Sequence, residues 1–120
     1  MAGSLSLHVL DTAQGKPAAG MKWELWRVDR DGNSRRLLAD GQTNRDGRAN
    51  GNVLEGEAFA IGTYELVFNV ADYFRGQTLP LADPPFLDRV PVRFSIADPS
   101  SHYHVPLGTS PWAYNTYRGS

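Results

Sequence analysis

The chain has 120 residues, 12 basic and 13 acidic side chains for a formal charge of −1, 41% hydrophobic residues and no cysteine. That length fits a single domain spanning 1–120, with one core large enough to stand without staples. The charge balance leaves no global field for nucleic acid or an anionic membrane, and the missing thiols exclude a disulfide framework, thiolate catalysis and thiolate zinc sites.

Met1-Ala2-Gly3-Ser4 has no basic region followed by an apolar run, so no signal peptide is expected. No stretch approaches the ~20 apolar residues of a membrane helix, and a cytoplasmic location is expected. Period-two alternation then dominates. Leu5, Leu7 and Val9 share one face of a first strand, with Ser6 and His8 on the other. Gly15-Lys16-Pro17 and Gly20 mark a loop, and a second strand runs from Met21 to Val28. Asp31-Gly32-Asn33 is a hairpin signal, returning through Arg36 to Thr43. Asn44-Arg45-Asp46-Gly47 predicts a further turn that delivers Arg48.

The stretch Asn50 to Gly62 is Gly-rich and reads as a long loop with room for a short strand. Tyr64, Leu66, Phe68 and Val70 fill one face of the next strand, and Ala71 to Gly76 is the one predicted helix. Pro80, Pro84 and Pro85 exclude regular structure beyond it. Val90, Val92, Phe94 and Ile96 restart the alternation. Asp98-Pro99-Ser100 turns the chain into a strand through His102 and His104, and Ser110-Pro111 into a last one from Trp112 to Tyr117. Seven or eight short strands at regular spacing predict an all-β fold, an antiparallel β-sandwich with one short helix.

All three histidines fall on polar strand faces, because Tyr103, Val105 and Leu107 form the inward set around His102 and His104. Single surface histidines are ordinary; three of three, on the first and penultimate strands, suggest a shared face that a neighbouring subunit would close. Three imidazoles could instead hold a zinc ion, but no acidic residue stands beside them in sequence to orient them, and Arg48 or Arg118 nearby would repel a cation. Arg48 after its turn is either solvated or a planar fork for an oxygen-rich ligand. Asp29-Arg30-Asp31-Gly32-Asn33 fails as a calcium loop on its glycine offset.

These residues carry a resemblance. His102-Tyr103-His104-Val105-Pro106-Leu107, then Ser110-Pro111 and the terminal Tyr117-Arg118-Gly119-Ser120, resemble the C-terminal signature of the 5-hydroxyisourate hydrolases, the transthyretin-related proteins of purine catabolism. Leu7-His8-Val9-Leu10-Asp11-Thr12 with Gly15-Lys16-Pro17-Ala18, Asp46-Gly47-Arg48 and Asp72-Tyr73-Phe74 are similar to the family's opening, central arginine and short helix. The likeness runs from Ser4 to Ser120, and transthyretin proper lacks the terminal tetrapeptide.

The resemblance implies a transthyretin-like two-sheet sandwich, four copies of which meet through outer sheet faces that line a channel. It implies cofactor-free opening of 5-hydroxyisourate to 2-oxo-4-hydroxy-4-carboxy-5-ureidoimidazoline, with the small-molecule substrate and the homotetramer as the only partners. His8, Arg48, His104 and Ser120 become the expected catalytic residues, and His8, Arg48, Tyr117 and Arg118 the expected substrate-binding ones; no metal is assigned. The sequence does not divide acid and base roles between the two imidazoles, and gives His102 no role. Gly108-Thr109 departs from the two leucines usual before Ser-Pro, at positions expected to line the channel. The rival readings are a transthyretin-like carrier of a small aromatic ligand and a metal-dependent hydrolase.

Overall fold

β1 (Ser4–Asp11) sets the pattern for the whole molecule. Leu5, Leu7 and Val9 are buried while Ser4, Ser6 and His8 are half-exposed, as the two-residue pleat demands of a strand with one face on a core. The remaining strands are β2 (Lys16–Pro17), β3 (Lys22–Val28), β4 (Arg35–Gln42), β5 (Leu54–Glu55), β6 (Gly62–Asn69), β7 (Arg89–Ile96), β8 (His102–Thr109) and β9 (Tyr114–Thr116), with one α-helix among the described residues, α1 (Val70–Arg75), and a single 3-10 turn at Gly56–Ala58. This computed structural model describes residues 3–120; the sequence reading at Met1-Ala2 lies outside the described residues.

Two sheets pack face to face, one ordered β2-β1-β8-β9 with β5 also on β1, the other β4-β3-β6-β7. The expected sandwich is the fold found, and its ladders are antiparallel with one exception. β1 and β8 run parallel, Ser4 opposite His102 through Asp11 opposite Thr109. Alternation along a strand reveals which way its side chains face but not the direction of its neighbour, so this pairing had no local signal.

The core lies between the sheets and takes Leu5, Leu7, Leu25, Tyr64, Leu66, Phe68, Phe74, Ile96 and Leu107, all nearly free of solvent. A fully buried leucine of this kind contributes about 1.5–3 kcal/mol. β2 and β5 are two-residue strands in segments read as loops, too short for alternation to mark. The last strand is shorter than expected at its N-terminal side, because Ser110 accepts from the N–H groups of Trp112 and Ala113 and holds that stretch as a turn. Leu38 is the extra residue of a bulge in β4, where the register jumps from Leu25–Ala39 to Trp26–Leu37.

α1 starts where Asn69 accepts a hydrogen bond from the Asp72 N–H. It buries Val70, Ala71, Tyr73 and Phe74 and leaves Asp72 and Arg75 outside as an ion pair. The Tyr73 hydroxyl donates to Asp11 Oδ2 at 2.8 Å, and Gln14 donates its backbone N–H and side-chain amide to the same carboxylate. Asp11 is the last inward residue of β1, wholly buried, and these three bonds offset its desolvation. Burial first, then the bond to Asp11, raises the Tyr73 hydroxyl far above its ordinary pKa, so it stays a donor. The helix is thereby pinned to the strand that carries His8. Among the described residues no helix is long and apolar enough to cross a membrane.

Candidate active site

Strand register lays the outer face of the first sheet out as a grid. Arg48 pairs with His8 in an isolated antiparallel bridge, and His8 lies opposite Pro106. In the adjoining row Ser6 lies opposite His104, which pairs with Gly119. His8 and His104 thus occupy neighbouring strands on one face, offset by two residues. From a strand spacing of about 4.8 Å and a rise of about 6.6 Å for two residues, their Cα atoms stand about 8 Å apart.

The turn that delivers Arg48 is built by Asn44. Its Oδ1 accepts from the N–H groups of Asp46 and Arg48, and its own N–H donates to the Arg48 carbonyl. Gly47 has φ +77°, and a Cβ there would lie 2.4 Å from the Val9 carbonyl, so only glycine lets the turn dock on β1. Docking is completed by the Val9 N–H donating to Gly47 O at 2.8 Å. It also positions His8, whose Nε2 lies 2.9 Å from Asp46 O. A carbonyl only accepts, so Nε2 carries the hydrogen, and in the neutral ring Nδ1 keeps the free lone pair. Arg48 itself is exposed and directed to this face.

His104 is half-buried and His102 exposed, their rings nearly parallel with centroids 6.4 Å apart. They are linked through serines. Ser4 Oγ lies 2.7 Å from His102 Nδ1, Ser6 Oγ lies 3.0 Å from His102 Nε2, and Ser6 Oγ lies 2.7 Å from His104 Nδ1. Burial, then the charges of Arg48, His102 and His8, hold the His104 imidazole below its ordinary pKa of 6.5. At neutral pH it is therefore uncharged, with Nε2 the nitrogen not taken up by Ser6. Among the described residues no group of three or more His, Cys, Asp or Glu side chains is placed to hold a metal ion. Three of the four ring nitrogens of His102 and His104 address hydroxyls instead.

The C-terminal segment runs antiparallel beside β8. The register that pairs Leu107 with Thr116 and His104 with Gly119 puts Tyr117 beside Pro106, on the histidine face, and Arg118 beside Val105, on the other. Arg118 accordingly lies with Cζ 3.8 Å above the Tyr103 ring and donates from Nη2 to the His102 carbonyl. Arg118, expected among the substrate-binding residues, thus lies at the edge of the sandwich, on the other side of the strand from His8 and Arg48 but along the same groove as His104 and Tyr117. Ser120 is exposed at the chain end, past Gly119. Thr109 also turns inward and is fully buried, so of the pair Gly108-Thr109 only Gly108 reaches the outer face, opposite the exposed Leu10. His104 also lines a groove of about 230 Å³ at the sandwich edge, together with Val92, Phe94, Tyr117 and Arg118.

The structure therefore brings His8, Arg48, His104 and Tyr117 onto one face, and leaves Arg118 off it. Sequence reasoning missed Ser6, Asn44 and Gly119. Ser6 shares its polar face with His8, which was a usable signal. Gly119 was not recognised as the residue facing His104: a Cβ there would lie 2.7 Å from His104 Cδ2. Its N–H donates to the His104 carbonyl at 2.7 Å.

A two-sheet β-sandwich with two imidazoles and a guanidinium on one outer sheet face, and the chain end laid along it, is the class that fold and site define. The model of the HIUase/Transthyretin family matches residues 5–119, and the chain belongs to that family. It is 56% identical over 118 residues to 5-hydroxyisourate hydrolase 2 of Rhizobium meliloti strain 1021, covering 98% of this chain and 97% of that one. Among solved structures it resembles a Klebsiella pneumoniae 5-hydroxyisourate hydrolase (TM-score 0.80, 28% identity, 98% of this chain and 99% of that one). It also resembles an (S)-allantoin synthase (TM-score 0.92, 43% identity) across 99% of this chain but only 44% of that longer one.

Proposed function

We propose that the protein hydrolyses 5-hydroxyisourate, opening its six-membered ring by attack of water, with no cofactor, to give 2-oxo-4-hydroxy-4-carboxy-5-ureidoimidazoline. The observation that carries the reading is the meeting of His8, Arg48 and His104 on one outer face, from three distant stretches of chain. Relatives of the same length named for this activity support it.

The reaction adds water across the N1–C6 bond. An oxygen–carbon bond forms at C6, the C6–N1 bond breaks, one water proton goes to a base, and N1 leaves with a proton from an acid. His8 suits the base, since its Nε2–H is committed to Asp46 O and leaves only the Nδ1 lone pair to act. His104 suits the acid, since Ser6 engages Nδ1 and leaves Nε2 for the substrate. Arg48 offsets the charge that develops on the C6 oxygen and orients the electron-rich ring. Tyr117, in the row beside His8, bounds the pocket, and Ser120 lies next to the glycine that holds His104 in place. Proton transfer by such imidazoles is typically worth about 10²–10⁴-fold.

A flat sheet face has no walls, and we place the working site between copies in a homotetramer that joins these faces. The exposed Leu10 and Tyr117 on the same face favour its being covered. The absence of cysteine fits the reducing cytoplasm, where this reading puts the protein. A passive carrier of an aromatic ligand is disfavoured, since an apolar channel has no use for two imidazoles and a guanidinium.

The test follows the ultraviolet decay of freshly generated 5-hydroxyisourate. The protein should accelerate decay above its spontaneous rate. His104→Asn should lose at least 10²-fold in kcat, and Arg48→Ala should lower kcat and raise KM together. Decay at the spontaneous rate with folded protein would overturn the assignment.

A further inference from the structure

Ser4, His102, Ser6 and His104 form an unbroken line of hydrogen-bonding atoms from the exposed edge of the histidine face to the ring that meets substrate. The three links are 2.7, 3.0 and 2.7 Å long, within the range of good hydrogen bonds. The parallel pairing of β1 with β8 creates this line. It sets Ser4 opposite His102 and Ser6 opposite His104, so each hydroxyl lies level with one imidazole and Ser6 reaches both. Nothing in the fold requires it, since all four side chains point away from the core.

We propose that Ser6 and His102 form a proton relay that sets the tautomer of His104 and exchanges its proton with solvent. The inference rests on the proposed hydrolase reading for its kinetic consequence, but not for its existence. Ser6 has one hydrogen and faces two ring nitrogens, so it donates to one ring and accepts from the other. When it donates to His104 Nδ1, His104 must carry its hydrogen on Nε2 and His102 must donate from its own Nε2. When it donates to His102 Nε2, His104 carries its hydrogen on Nδ1 and offers an Nε2 lone pair. Ser6 thus makes the two tautomers interdependent.

Proton delivery balances along this line. Begin with His102 as imidazolium, donating from Nδ1 to Ser4 and from Nε2 to Ser6, with Ser6 donating to His104 Nδ1. His104 releases its Nε2 proton to the leaving nitrogen. The Ser6 proton moves to His104 Nδ1, and the His102 Nε2 proton moves to Ser6. One proton has left the line, His104 is again neutral, and the positive charge on His102 is gone. The line is left in its other arrangement, with His104 carrying its hydrogen on Nδ1 and a lone pair on Nε2. A proton taken up at His104 Nε2 then runs the same shifts backwards, through Ser6 to Nε2 of the exposed His102, and restores the start.

The line matters because His104 cannot easily hold the charge itself. Burial and three neighbouring cations or potential cations oppose its ionised form: Arg48 on the turn, His102 on its own strand and His8 on β1. From the C-terminal segment Gly119 brings no charge against its ring, Tyr117 lies in the next row, and Arg118 lies on the other side of the strand. Moving the proton to His102 transfers the charge to the solvated end of the line. Ser6 and His102 touch neither substrate nor reacting atoms in this scheme, and are positioning and relay residues.

The experiment is nitrogen-15 NMR of the imidazoles in the full-length protein labelled at histidine, as a function of pH, for wild type, Ser6→Ala, Ser6→Thr and His102→Asn, with hydrolysis rates alongside. In the wild type, His104 should show one dominant tautomer, and His102→Asn should shift its titration. Ser6→Ala should give His104 a mixture of tautomers and shift its titration curve, while Ser6→Thr, which keeps the hydroxyl, should restore the wild-type spectrum. In kinetics Ser6→Ala should lower kcat about 10-fold with KM held and displace the pH profile, again restored by threonine. An unchanged His104 tautomer and titration in both Ser6→Ala and His102→Asn would overturn the relay. If the folded wild type fails to speed decay of 5-hydroxyisourate, the hydrolase reading falls, and the NMR comparison still decides the relay.

Discussion

A single methyl group at the chain end tests how the site is held. In Gly119→Ala the new Cβ would lie 2.7 Å from His104 Cδ2 and 3.3 Å from its Cβ and Cγ. Non-bonded carbons rest at about 3.5–4.0 Å, so ring or tail must give by about 1 Å. The ring resists because Nδ1 is 2.7 Å from Ser6 Oγ, and the tail resists through its 2.7 Å bond from Gly119 N–H to the His104 carbonyl. Whichever yields, the imidazole or the segment flanking it leaves its place. A misplacement of about 1 Å lowers rate on the order of 10²-fold, equivalent to about 2.7 kcal/mol of transition-state stabilisation. Gly119 lies at the chain end and outside the core, so the free energy of unfolding in urea should change by less than about 0.5 kcal/mol. Initial rates on 5-hydroxyisourate and urea unfolding, measured on one preparation, separate the two effects. Wild-type kcat/KM in Gly119→Ala would refute the claim that the glycine fixes His104, and an equal loss of rate and stability would recast it as structural.

Gly47→Ala should be worse in a different way: it forces a side chain onto φ +77° and against the Val9 carbonyl, undocking the turn that carries Arg48 and the Asp46 carbonyl. Rate and stability should both fall, and hydrogen exchange of the Val9 amide should speed up. Tyr73→Phe removes one of three donors to buried Asp11 and should destabilise by about 1–3 kcal/mol in urea with kcat/KM unchanged, because Asp11 faces away from the histidines. His104 binds its proton less readily folded than unfolded, so the unfolded chain takes up more protons below pH 6.5. Its contribution to stability is therefore complete above 6.5 and is lost as pH falls through the folded value. The acid-side drop in thermal midpoint should be shallower in His104→Asn, and its persistence unchanged would remove His104 as the cause.

The faces of the strands were legible because they are local. Leu5-Ser6-Leu7-His8-Val9 and Tyr103-His104-Val105 state their inward and outward sets by alternation alone, and the burial of each follows it. Which strands meet, and in which direction, was not local information. The parallel ladder between β1 and β8 joins residues some hundred positions apart, and it decides that Ser6 rather than another hydroxyl reaches His104. The same alternation, continued through the chain end, would have turned Arg118 inward; treating the terminal tetrapeptide as one functional unit hid its two faces. Thr109 was misplaced for the same reason, since the parity of Tyr103, Val105 and Leu107 already points it to the core.

Residues shared by resemblance divide by physical role once their faces are known. Asp11 and Tyr73 belong to motifs far apart in sequence, yet they meet inside the molecule and fasten α1 to β1. His8 and Arg48 meet outside it, on the opposite face of that strand, fastened by Gly47 and the Asp46 carbonyl. β1 therefore has a rigid inner side and a chemical outer side, separated by the thickness of one sheet. A site on a strand so held needs few supports of its own. Those present, Ser6 behind one imidazole and a carbonyl behind the other, govern hydrogen positions rather than ring positions, and that is the control a reaction moving two protons requires.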